Sequence, residues 1–152
     1  LFVVRAFTKM HAIPGLRLGY GITSDTELAD RLCGARQPWS VSIPAQEAGI
    51  AALSEAEDLK AEKTRDMIRT EREWLERELK GMGFRVIPSE ANFILMHSKT
   101  DLAACLMEKK ILIRDCGNYR GLKKGWYRAA VRLPEENDLL VKALREISER
   151  RM

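Results

Sequence analysis

The stretch FRVIPSEANFILMHSKTDLAACLMEKKILIRD, residues 84–115, changes its hydrophobic pattern repeatedly over a short span. FRVIP and ANFILMH read as two short strands, TDLAACLMEKK as a helix, and ILIRD as a third strand. Downstream, WYRAAVR predicts a fourth strand and PEENDLLVKALREISER, residues 134–150, a closing helix. Upstream, from about Ala45, the apolar series Ala48, Ala51, Ala52, Leu59, Met67, Ile68, Trp74, Leu75 and Leu79 predicts a long helix, open to a break near Ser54, that stops at Gly81–Gly83. Helices and strands mix here without a strict βαβ rhythm. The fold class expected is therefore α+β, with layered helices packed on one face of a small, mostly antiparallel sheet.

Nearer the start, LFVVRAF reads as a buried-strand type of run, and PGLRLGYGIT as a turn followed by a short strand. Ser24 or Asp25 is placed to cap a helix carrying Leu28, Ala29 and Leu32 toward a core and ending near Gly34. QPWSVSIP is a loop whose Ser42 and Pro44 announce the next helix. Beginning directly on an apolar run without an initiator methionine, the chain reads as part of a longer protein.

Composition narrows the functional classes. With 152 residues and 45% hydrophobic content, the chain can bury a sizeable core. No apolar run approaches the roughly 20 residues that a membrane helix requires, so no membrane role and a cytoplasmic location are expected. A net charge of +4, with Arg65, Arg69 and Arg72 at helical spacing, invites a nucleic-acid partner. Acidic residues interrupt that region throughout, among them Glu62, Asp66, Glu71 and Glu73, which is the pattern of a solvated helix face, and no nucleic-acid role is expected. Cys33, Cys105 and Cys116 are odd in number and lack CxxC spacing, while His11 and His97 stand apart from any ligand pattern. Reduced thiols and no metal site are expected.

RAFTKMHAIPGLRLGY, residues 5–20, sets Thr8 and Lys9 after the opening strand, with Arg17 between Gly15 and Gly19. A lysine entering a turn is ordinarily just exposed, and desolvating it is costly unless it is paired or neutralised. An arginine held between glycines suits a phosphate monoester, because its planar fork grips two oxygens. A lysine combined with a phosphate clamp is the protein's half of a pyridoxal phosphate site.

The run FTKMHAIPGLRLGY resembles the lysine segment of fold-type I pyridoxal phosphate enzymes of the aminotransferase class I and II group. Within that group it is most similar to threonine-phosphate decarboxylases and histidinol-phosphate aminotransferases. The resemblance implies pyridoxal 5′-phosphate as cofactor, Lys9 as the residue bonded to it, Arg17 as a ligand of its phosphate, and Thr8 close by. Ala6 stands where the group usually has serine or threonine, so one phosphate hydrogen bond is missing. Such a bond to a charged acceptor is worth about 1.5–3 kcal/mol.

In ILIRDCGNYRGLKKGWYRAAVR, residues 111–132, Arg114 and Arg128 lie in predicted strands among apolar neighbours. Each needs an anionic partner if it points inward, or else reaches solvent through the strand's alternation. The resemblance implies that Arg128 binds the substrate's α-carboxylate, that Arg114 binds a phosphate or carboxylate, and that Asn92 contacts the site from SEANFIL. Arg132 is open to an assisting or a solvent role.

The same resemblance implies three regions: 1–40 as the end of the large cofactor-binding domain, 41–80 as a connecting helix and 81–152 as the small carboxyl-terminal domain. The implied protein is a homodimer acting on a small phosphorylated amino acid. RDCGNYRGL followed by WYRAAVR favours an L-threonine-O-3-phosphate decarboxylase of cobalamin biosynthesis. The alternatives are an aminotransferase for histidinol phosphate or a related amino acid, and a non-catalytic piece or assembly module.

Overall fold

The computed structural model describes residues 1–149, apart from the side chains of 56–58; Arg150, the end of the expected closing helix, lies outside them. The chain divides into two compact units, residues 1–63 and 64–152.

In the first unit, β1 (Phe2–Ala6) pairs antiparallel with β2 (Gly19–Thr23), from Phe2 opposite Thr23 to Ala6 opposite Gly19. α1 (Thr26–Ala35) follows, and Asp25 caps it by accepting the Leu28 N–H at 2.9 Å. α2 (Ile43–Ala52) is capped by Ser42, which accepts the Ala45 N–H at 3.3 Å, with Pro44 in the first turn where no N–H is needed. Contrary to the sequence reading, α1 buries none of its residues, and Leu32 is 45% exposed. A two-stranded ribbon is too narrow to cover an apolar helix face.

α3 (Glu55–Gly81) begins after a break at Leu53 and Ser54, so the expected long helix is two helices. It ends where Gly83, at φ +81°, lets its own N–H reach Lys80 O at 2.9 Å and the Phe84 N–H reach Leu79 O at 3.1 Å. That pair of bonds is the glycine-closed helix terminus that the Gly-Met-Gly stop predicts.

The second unit carries a four-stranded antiparallel sheet in the order β3 (Arg85–Ile87), β4 (Phe93–His97), β6 (Trp126–Ala130), β5 (Arg114–Asp115). Alternation sends Ile94, Met96, Tyr127 and Ala129 to one face. There they join Leu75 and Leu79 of α3, Leu102 and Leu106 of α4 (Leu102–Glu108), and Leu140, Val141 and Leu144 of α5 (Pro134–Glu149) in one core. The α+β layering holds.

The strand expected at ILIRD shrinks to Arg114–Asp115. Lys110 takes a left-handed φ of +61°, and the Ile111 N–H closes α4 by donating to Leu106 O at 2.9 Å. Ile111 and Ile113 consequently pack against the core rather than pair in the sheet.

Candidate active site

The opening ribbon continues one bond beyond β1, from the Phe7 N–H to Leu18 O at 3.2 Å, and so closes the neck of a loop over residues 8–17. Inside it, the Ala12 N–H donates to Lys9 O at 3.2 Å and the Ile13 N–H to Phe7 O at 3.4 Å, and a single 3-10 turn covers Pro14–Leu16. Phe7 is buried beneath the loop, its ring 5.0 Å from that of His11 and 5.6 Å from that of Tyr20. Gly49 of α2 supports the loop from below. A β-carbon there would stand 2.6 Å from Leu18 Cδ2, so the helix approaches this closely only because it has none.

This pinned loop presents Lys9 and Arg17, both exposed, and the half-buried Thr8. Arg17 adopts φ +53°, and its Nη1 donates to Pro14 O at 3.1 Å, which fixes the guanidinium base and leaves most of its five N–H groups free. The Lys9 ammonium has no hydrogen-bonding or ionic partner among the described residues, its backbone carbonyl alone being engaged, by Ala12. One unpartnered amine and one oriented guanidinium on a rigid turn fit the two reactive ends of an aldehyde-bearing phosphate monoester. Ala6, in the last pair of the ribbon opposite Gly19, adds only a methyl group.

The second unit brings the predicted arginines together. In the ladder Arg128 stands opposite Leu95 on one side and opposite Arg114 on the other, so the two guanidinium-bearing residues share the sheet face away from the core. Like charges directly opposite one another destabilise a sheet unless something anionic lies between them. Among the described residues rings rather than carboxylates meet these groups: Arg128 Cζ sits 4.9 Å from the Phe93 ring centre and Arg114 Cζ 5.6 Å from that of Tyr119. Arg114 Nη2 also donates to Asn118 Oδ1 at 3.4 Å. Beside it lies a cavity of about 440 Å³ lined by Arg114, Asp115, Gly117, Asn118 and Lys124. The Asp115 carboxylate is engaged by the Gly117 N–H at 2.7 Å. The cavity is thus lined by two cationic residues, an amide and one carboxylate, a lining with more donors than acceptors.

Asn92 is exposed just before β4, and its carbonyl accepts the Val131 N–H at 2.9 Å. Arg132 is paired with Glu136 at 2.7 Å and belongs to the solvated surface. Asn118 and Lys124 were missed in the sequence; their signal is the donor-rich loop between Arg114 and Arg128. Thr8, Lys9 and Arg17 lie in the first unit, and Asn92, Arg114 and Arg128 in the second. Among the described residues no helix is long and apolar enough to cross a membrane.

Residues 1–144 match the family described as aminotransferase class I and II. The chain is 37% identical to the threonine-phosphate decarboxylase of Salmonella typhimurium, over 97% of this chain and 41% of that protein. It is 40% identical to histidinol-phosphate aminotransferase 2 of Archaeoglobus fulgidus, over 97% of this chain and 42% of the relative. Among solved structures, the histidinol-phosphate aminotransferase from Clostridium acetobutylicum superposes with a TM-score of 0.89 at 33% identity, covering 99% of this chain and 46% of that one. The chain thus spans about two fifths of the length of the curated relatives it matches. On the strength of that match, the chain belongs to the aminotransferase class I and II family of pyridoxal phosphate enzymes.

Proposed function

We propose that the protein is a pyridoxal 5′-phosphate-dependent enzyme of the cytoplasm that works as a homodimer and decarboxylates L-threonine O-3-phosphate, yielding an aminopropanol phosphate for cobalamin. The observation that carries this reading is the cross-strand pair of Arg114 and Arg128 with the Lys124 cavity beside it. Two anion-binding positions suit a substrate bearing both a carboxylate and a phosphate.

Lys9 Nζ would hold the cofactor's carbonyl carbon, and Arg17 its phosphate. When bound, the cofactor supplies a sink for the electron pair left as a bond to the substrate Cα breaks. Arg128 would grip the carboxylate, while Arg114, Asn118 and Lys124 would grip the phosphate; together they select which bond to Cα is aligned for cleavage. With the carboxylate aligned, carbon dioxide leaves and a proton takes its place on Cα. With the Cα–H bond aligned, Lys9 Nζ would instead take up the Cα proton, the first proton transfer that transamination requires.

Transamination of histidinol phosphate is the second reading, favoured by the 40% identity to the Archaeoglobus protein. That substrate has a phosphate but no carboxylate, so only one of the two arginine positions would be used by it. Incubation of the full-length natural protein with pyridoxal phosphate and L-threonine O-3-phosphate is expected to release carbon dioxide without added 2-oxoglutarate. Turnover of histidinol phosphate that depends on 2-oxoglutarate, with no carbon dioxide released, would replace the first reading by the second.

A further inference from the structure

Asn137 is the one polar residue fully buried among the described residues, at 1% exposure. Burying a side-chain amide without partners costs several kcal/mol, on the order of 2–7, so its bonds reveal what it is for. Its Oδ1 accepts the Arg132 N–H at 3.0 Å, and its Nδ2 donates to Arg132 O at 2.9 Å and to Glu71 Oε2 at 2.9 Å. The amide thus treats residue 132 as a neighbouring strand would, meeting both its N–H and its C=O.

β6 ends its ladder at Ala130, and the next bond runs from the Val131 N–H to Asn92 O. Asn137 extends that grip by one residue and ties it, through Glu71, to α3. The adjacent α3 residue, Arg72, donates to Ala91 O at 3.3 Å, and Glu76 one turn later accepts the Ser89 N–H at 3.2 Å. The helix therefore holds the entrance of β4 and the exit of β6 on both sides of the Asn92–Val131 bond. Arg128 lies within β6, four residues before Arg132, the contact of Asn137, which follows the strand's end at Ala130.

We propose that Asn137, braced by Glu71, is a positioning residue for Arg128: it fixes the exit of β6 so that the Arg128 guanidinium meets the substrate anion in one orientation. This rests on the proposed role of Arg128. Only an uncharged amide satisfies both sides of the arrangement, since an aspartate would lack the Nδ2 donors and would face the Glu71 carboxylate.

A double-mutant cycle tests it in the full-length, cofactor-loaded protein, with L-threonine O-3-phosphate as substrate. Asn137→Ala is expected to raise KM about tenfold and Glu71→Ala about threefold, while kcat stays within about twofold. Glu71→Ala removes one of the three bonds and keeps the test open if Asn137→Ala does not fold. In an Arg128→Gln background both effects should disappear, because the group being positioned is gone. Effects of the same size in both backgrounds, or KM unchanged by Asn137→Ala and Glu71→Ala, would overturn the positioning role while leaving that of Arg128 standing. An unchanged KM in Arg128→Gln alone would overturn both.

Discussion

Arg17 shows what a single backbone choice does at this site. Its left-handed φ turns the side chain back over the 3-10 turn, where Pro14 O takes one N–H and the rest of the fork stays available to a ligand. In the proposed site, where Ala6 contributes no hydroxyl, the cofactor phosphate would depend more heavily on that guanidinium. Arg17→Gln should weaken pyridoxal phosphate binding by at least about tenfold, the size of a lost charge-assisted bond. Fluorescence titration of the full-length protein with the cofactor reads this directly; an unchanged affinity would remove Arg17 from the phosphate site. The contrast with Arg132 is instructive, since a nearby carboxylate, Glu136, occupies that arginine.

At the scale of elements, β6 does two jobs through strand alternation. One side carries Arg128, and the other buries Tyr127, whose hydroxyl donates to Thr100 O at 3.2 Å. Desolvation pushes the Tyr127 phenol up from its ordinary 10.0, with the Asp101 charge adding to the rise. Burial likewise pushes up the Cys116 thiol from 9.0 against the lowering influence of Arg128 and Arg114. Above pH 9 the unfolded chain releases these protons first and the folded chain retains them. The unfolded state then binds fewer protons, so stability falls with rising pH. Thermal melting between pH 8 and pH 11 should show a falling midpoint that flattens in Tyr127→Phe/Cys116→Ala; an equally steep fall in that variant would assign the loss to other groups.

For the molecule as a whole, the layering was legible in the sequence because its signals are local. Asp25 and Ser42 announce their helices, Gly83 stops α3, and the alternation in FILMH and WYRAA sets the buried face. What could not be read there depends on contacts distant in the chain. The spacing of Arg114 and Arg128 gives no hint that they become cross-strand partners, because the intervening loop sets the register. Lys124 looks like one of two solvated lysines until the loop folds beside Arg114, and Asn137 looks like an ordinary polar residue in the first turns of a helix. Leu32 reads as a core residue because periodicity reports an apolar face without reporting what covers it.

The proposed chemistry depends first on Lys9 being the residue to which the cofactor bonds. The most direct measurement is borohydride reduction of the full-length protein with pyridoxal phosphate, followed by peptide mapping by mass spectrometry. A pyridoxyl group on Lys9, lost in Lys9→Ala without transfer to another lysine, is expected; specific labelling elsewhere, or none, would remove Lys9 from that role.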